Sequence, residues 1–165
     1  MKSQQGDERA KLASTIFAAP GGKLLIEASP LGVVSLKAAP PGAMACGENP
    51  ATAKAVDWLE SYFAGKPGVA PPLDLAGTHF QKAIWNILLE IPYGACSSYG
   101  EICKIYEQRF NRRSSPRAVG GAIAANPVWI VIPCHRIIHS DGKLGGYAGG
   151  VEMKKALLDL EKDNS

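Results

Sequence analysis

A chain of 165 residues has room for one ordinary core, or for a small domain beside a larger one, which excludes a multidomain machine. With 46% hydrophobic and 20% charged residues it lies outside the disordered class, and no stretch is long and apolar enough to span a bilayer. The net charge of +3 is unevenly spread: residues 79 to 149 carry eight basic against four acidic side chains, while the flanking segments are balanced or slightly acidic.

Residues 1 to 12 are polar and patternless and read as a mobile tail; they lack the apolar segment of a secretory signal, so the expected compartment is the cytoplasm. From Ser14 to Lys37 three short runs rich in β-branched and apolar residues (Thr15-Ile16-Phe17, Leu24-Leu25-Ile26, Val33-Val34-Ser35-Leu36) are separated by Pro20-Gly21-Gly22 and Pro30-Leu31-Gly32. The pattern predicts a three-stranded antiparallel meander. Asn49-Pro50 reads as helix N-cap and first helical residue, Val56, Leu59 and Phe63 recur at helical spacing, and Gly65 supplies the stop. A helix over 50–64 covering the meander follows. Lys66 to Pro72, with three prolines and a glycine, reads as a linker, so the expected domains are 1–71 and 72–165.

In the second segment Thr78 and Gln81 form a capping box, and Phe80, Ala83, Ile84, Ile87 and Leu88 define an amphipathic helix over 79–90. Ser98 and Glu101 form a second box, opening a helix through Ile102, Ile105 and Tyr106. Ser115-Pro116 announces a third, running through Ala124 and stopped by Asn126-Pro127. Two short helices joined by a basic turn fit a helix-turn-helix, although two glycines inside the second, Gly120 and Gly121, fit tight packing on a neighbouring helix equally well. Val128 to Ile132 reads as a short buried strand, residues 141–150 as a glycine-rich loop, and the chain closes with a helix whose apolar face is Met153, Ala156, Leu157 and Leu160.

Four cysteines, Cys46, Cys96, Cys103 and Cys134, contain no C-x-x-C pair, which argues against a structural zinc site or a thioredoxin motif. The first three read as small buried hydrophobes. Cys134 differs, because Pro133-Cys134-His135-Arg136 sets a thiol beside an imidazole, and a cationic neighbour raises the thiolate fraction. Arg109, Arg112, Arg113 and Arg117 lie in a stretch without an acid, which fits either a polyanion footprint or a solvated basic loop.

The run from Asn126 to Ile138, with Pro133-Cys134-His135-Arg136 at its centre, closely resembles the active-site signature of the O6-alkylguanine-DNA alkyltransferases, the methylated-DNA-protein-cysteine methyltransferases. Further blocks resemble the same family in the same order: Gly77-Thr78-x-Phe80-Gln81, Ile91-Pro92-Tyr93-Gly94, Ser98-Tyr99-Gly100, Arg117-Ala118-Val119-Gly120-Gly121-Ala122 and Gly146-Tyr147-Ala148-Gly149-Gly150. The resemblance implies repair by direct reversal: the lesion nucleotide is flipped out of double-stranded DNA from the minor groove, and the alkyl group of O6-alkylguanine, and less securely of O4-alkylthymine, passes irreversibly to Cys134. It implies Arg117 as the finger filling the vacated stack and Tyr99 at the target phosphate, donating a proton toward the departing guanine. Ala118, Gly120 and Ala124 fall on the recognition helix, with Arg109, Arg112 and Arg113 as extra phosphate contacts in a connection longer than the family pattern. His135 holds the proton through a water, and Glu161 orients His135. A carboxylate in a last helical turn opposes the helix dipole, so some other role favours Glu161 there.

By the same resemblance Asn126 ties the active-site loop together, and Trp129, Ile137, Tyr147, Ala148 and Gly149 border the substrate pocket. Trp129 stands where relatives carry proline or a small residue. No metal or other cofactor is expected, no obligate protein partner, and a monomer. The expected fold is α/β in the α+β sense: a small amino-terminal antiparallel sheet with a covering helix, and a mostly helical carboxy-terminal domain with a helix-turn-helix. Two other functions compete. A non-catalytic sensor of alkylated DNA, recruiting excision repair, replaces the cysteine that this chain keeps; a thiol hydrolase leaves Arg117 and Tyr99 without a role.

Overall fold

The computed structural model describes residues 11–165, so most of the expected amino-terminal tail lies outside the described residues. The chain divides into two compact units, Met1–Ala76 and Gly77–Ser165, and the architecture is of the expected mixed α/β class. No helix among the described residues is long and apolar enough to cross a membrane.

In the first unit β1 (Ala13–Ala19), β2 (Gly22–Ser29) and β3 (Gly32–Ala38) form the antiparallel meander in the order β1-β2-β3. Pairing of Thr15 with Ile26 and of Ile26 with Leu36 sets buried side chains on one face. Helix α1 (Pro50–Phe63) packs there through Ala55, Trp58, Leu59 and Tyr62. Its cap does more than start it: Asn49 Oδ1 accepts from the Thr52 N–H, while Nδ2 donates to the carbonyls of Ala28 and Ser29, tying the helix start to the end of β2. The unit extends past the expected boundary at 71. Leu73 bridges Val33 in parallel, Val33 N–H donates to Pro72 O and Ser29 Oγ to Asp74 Oδ2, so the end of the proline-rich segment is structured.

The second unit is built on helix starts legible in the sequence. Helices α2 (His79–Leu88) and α3 (Tyr99–Phe110) each begin with a reciprocal capping box, Thr78 with Gln81 and Ser98 with Glu101, and Ser115 caps α4 (Pro116–Ala124). α2 buries Ile84, Trp85, Ile87 and Leu88, and Trp85 Nε1–H donates to Ala122 O of α4 at 2.8 Å. α2 ends two residues early because Glu90 and Ile91 close its last turn with bonds to Ile87 O and Leu88 O. Two-residue strands β4 (Ser97–Ser98) and β5 (Ile137–Ile138) pair in parallel, and α5 (Val151–Asp163) closes the unit.

Two expectations are corrected. Residues 128–132 are a tight turn, not a strand: Ile130, fully buried, has φ 70°, and Ile132 N–H bonds back to Val128 O. The Asn126 side chain replaces the missing ladder, its Oδ1 accepting from Val128 N–H and its Nδ2 donating to Ile132 O, both at 2.9 Å. A run of apolar β-branched residues suits a buried turn as well as a buried strand. In α5 the buried residues are Lys154, Leu157 and Glu161, whereas Ala156 is exposed and Met153 and Leu160 are half-buried. The two charged side chains are inside because each is matched by several hydrogen-bonding partners. Asn126→Ala leaves the buried Val128 N–H unmatched, while Ile132 O keeps its bond from Cys134 N–H, and is expected to cost about 1–3 kcal/mol in urea unfolding. A loss under ~1 kcal/mol shows that the turn stands without Asn126.

Candidate active site

Cys134, His135 and Arg136 form one 3-10 turn, Cys134–Arg136, and all three are buried. With three residues per turn, successive side chains diverge by about 120°, so adjacency in sequence does not bring thiol and imidazole together. The imidazole is aimed at α5: His135 Nε2 lies 2.6 Å from Glu161 Oε1. Arg136 reaches the same carboxylate, Nε to Oε2 at 2.9 Å and Nη2 to Oε1 at 2.9 Å, and its Nη1 donates to Ile91 O at 2.7 Å. Gly94 N–H also donates to Glu161 Oε2. Burial pushes the Glu161 carboxyl up, but the bonds from His135 and Arg136 outweigh it and bring it down to about 2. Burial drives His135 below the ordinary imidazole range against the pull of Glu161, so it rests neutral beside an ionised carboxylate.

The thiol has a different partner. Asn126 Nδ2 sends one hydrogen to Ile132 O and the other to Cys134 Sγ at 3.1 Å. Burial pushes the Cys134 thiol above its ordinary range, while the Asn126 bond and the Lys154 charge pull the other way. The expectation of a thiolate primed by its sequence neighbour is therefore corrected: Cys134 rests as a buried neutral thiol, and its hydrogen-bond donor is Asn126. Cys103 is buried as expected, whereas Cys46 and Cys96 are exposed, on loop segments.

Cys134 opens onto a cavity of about 250 Å³. Asn126, Trp129, Tyr147 and Ala148 of the expected pocket residues line it, and so do Tyr99, Gly120 and Ala124, which the resemblance places on the DNA surface. Ile123 and Gly146 complete the wall without having been singled out by the sequence. Ile137 does not line it, because β5 holds this residue fully buried against Ser97, and Gly149 stands behind the wall against Trp129, Tyr147 and Met153. The Tyr147 hydroxyl is buried in this wall and meets no hydrogen-bond partner among the described residues. Burial raises the phenol pKa of both Tyr147 and Tyr99, so both remain protonated.

α3 and α4 are joined by residues 111–115, with Asn111 left-handed at φ 50° and Ser114 N–H held by Glu107 Oε1 at 2.8 Å. This turn exposes Arg112 and Arg113, and Arg117 and Ala118 are exposed in the first turn of α4. Arg109 does not join them: it makes a bidentate pair with Glu90, at 2.6 and 2.8 Å, from a residue far enough back in sequence to escape a local charge count. The two glycines of α4 are not explained by helix packing. A Cβ at Gly120 lies 3.7 Å from the Tyr99 ring, an ordinary contact, and a Cβ at Gly121 meets nothing within 4 Å. The sequence also gave no sign of Lys154. Fully buried, its ammonium donates to the carbonyls of Ile137, Leu144 and Gly146, holding the loop that carries Tyr147 and Ala148. The described residues contain no group of three or more His, Cys, Asp or Glu side chains suited to a metal ion.

Residues 79–163 match the family model of the 6-O-methylguanine DNA methyltransferase DNA-binding domain. The chain belongs to this family. A methylated-DNA–protein-cysteine methyltransferase of Mycobacterium leprae is 48% identical over 70% of this chain and 68% of its own length. An inducible one of Bacillus subtilis is 50% identical over 63% of this chain and 56% of its own. The crystal structure of a Mycobacterium tuberculosis O6-methylguanine methyltransferase superposes with TM-score 0.80 at 37% identity, covering 94% of this chain and 95% of that one. Its counterpart solved in complex with DNA gives TM-score 0.78 at 38% identity, over 91% and 92%. The methyltransferase segment holds every residue from Tyr99 to Glu161 that borders the cavity or the ion cluster.

A carboxyl held at about 2, against 4.5 when unperturbed, contributes stability that is present above pH 4.5 and lost as pH falls through 2. Glu161→Gln leaves Arg136 buried without its counter-charge, and is expected to cost about 3–5 kcal/mol at neutral pH. Urea unfolding at several pH values should also show a shallower acid dependence in that window for the variant. Equal acid profiles for variant and parent contradict the assignment.

Proposed function

We propose that this protein repairs O6-alkylguanine in double-stranded DNA by moving the alkyl group onto Cys134, once per molecule. The observation that carries the reading is the cavity itself: a buried thiol faces a chamber walled by Tyr99 at the start of α3 and by Gly120 and Ala124 of α4. α3 and α4 act as a helix-turn-helix. Ala118, Gly121 and Ala124 are exposed, so part of the α4 surface carries almost no side chain. That suits close approach to a minor groove only about 6 Å wide. It also gives the glycines a reason that lies outside the chain.

Cys134 is 6% exposed, too deep for a base still stacked in a duplex, so the nucleotide must turn out into the cavity. Arg117, exposed at the start of α4, fills the gap, and Arg112 and Arg113 hold phosphates. The unpartnered Tyr147 hydroxyl offers the base a hydrogen bond. With Nε2–H given to the ionised Glu161, the lone pair of His135 is on Nδ1, which takes the Cys134 proton through a relay water. Sγ attacks the alkyl carbon in line; the S–C bond forms as the C–O6 bond breaks, and the bonding pair leaves on guanine. Tyr99 donates its phenol proton to the departing guanine, and the proton taken up by His135 returns through water to the Tyr99 phenolate, leaving both groups as they began. The thioether does not hydrolyse, so turnover stops at one. O4-alkylthymine presents an equivalent alkyl–oxygen bond and is included as a substrate. The protein acts as a cytoplasmic monomer without a cofactor.

Intact and peptide mass spectrometry after mixing with a duplex containing one O6-methylguanine should show one added methyl, on the peptide bearing Cys134, and none in Cys134→Ala. Arg117→Ala should weaken duplex binding by about 1–3 kcal/mol with the fold intact. A chain that binds the lesion and stays unmodified is a sensor, and overturns the proposal.

A further inference from the structure

We propose that Trp129 sets the size limit of the transferred group, so that this protein accepts methyl and other small alkyl substituents and rejects bulky ones; the inference rests on the alkyl-transfer reading above. The Trp129 ring forms part of the cavity wall and is 8% exposed. It leans on Tyr147 with ring centroids 5.9 Å apart and planes at 48°, so two large aromatic rings border the chamber into which Cys134 opens.

This wall has little slack. A Cβ on Gly149 falls 3.2 Å from Trp129 Cζ3, 3.0 Å from Tyr147 Cε1 and 2.6 Å from Met153 Sδ, so both rings already rest against bare backbone. The main chain beneath the ring is fixed as well. Trp129 lies in the Asn126-held turn, its carbonyl accepts from Val131 N–H at 2.8 Å, and the next residue, Ile130, is buried at φ 70°. A chamber of about 250 Å³ is smaller than the roughly 300–1,000 Å³ of pockets for drug-sized ligands, which leaves space for a purine and a small substituent. Each further methylene pressed against a wall of this kind is worth roughly 10–200-fold in rate.

The test compares the second-order rate of transfer to Cys134 from two duplexes that differ only in carrying O6-methylguanine or O6-benzylguanine. The wild-type chain is expected to favour methyl by roughly 100-fold or more, and Trp129→Ala to reduce that ratio by about tenfold or more. Should W129A fail to fold by circular dichroism, W129L carries the same comparison with an apolar anchor retained. A wild-type chain that takes benzyl as fast as methyl, or a folded variant with an unchanged ratio, overturns the proposal. Failure of methyl transfer by the wild-type chain strikes the alkyl-transfer reading instead, so the two failures are told apart.

Discussion

The carboxylate of Glu161 is the point on which the second unit turns. It accepts from His135, from Arg136 and from the Gly94 backbone, so one side chain joins α5, the Cys134–Arg136 turn and the segment before β4. Arg136 extends that junction to the end of α2 through Ile91 O. Lys154, seven residues earlier on α5, does the complementary work with a cation, gathering three carbonyls from β5 and the following loop. A helix with an apolar face alone would pack here, but it would fix neither the imidazole nor the loop. Buried charges of this kind are costly to desolvate and costlier to leave unmatched, and the cluster is arranged so that each is met.

The same cluster explains why Cys134 and His135, neighbours in sequence, do not act as a contact pair at rest. Glu161 holds the ring in one orientation, and Asn126 holds the sulfur from another side. Asn126 follows directly on α4 and bonds both the buried turn and Sγ, so the helix that borders the cavity and the thiol within it share one amide. A buried neutral thiol held by Asn126 is also a guarded state, because the thiolate and not the thiol is the nucleophile.

Much of the fold was legible because helix starts carry local chemistry. Asn49-Pro50, Thr78 with Gln81, Ser98 with Glu101 and Ser115-Pro116 each announce a cap that the structure contains. The parts that were not legible depend on partners distant in sequence. Val128 to Ile132 has the composition of a strand, and the Asn126 amide, with the bond from Ile132 N–H to Val128 O, holds it as a turn. Lys154 looks like an ordinary surface charge on an amphipathic helix until the carbonyls that receive it are in place. Arg109 belongs to Glu90, which no count over residues 109–117 includes. At the site, local chemistry singled out Cys134, whereas Tyr99, Arg117 and Glu161 were singled out through the family resemblance; Ile123 and Gly146 follow only from the shape of the cavity.

Burial keeps His135 neutral against the pull of Glu161, whose carboxylate fixes the ring proton on Nε2 and leaves the lone pair on Nδ1. Nitrogen-15 chemical shifts of the His135 ring, followed from about pH 8 downward, test this most directly. The account predicts an Nε2–H tautomer near neutrality and a titration midpoint below the 6.5 of an unperturbed imidazole. A ring protonated on Nδ1 alone, or an imidazolium persisting above 6.5, contradicts it.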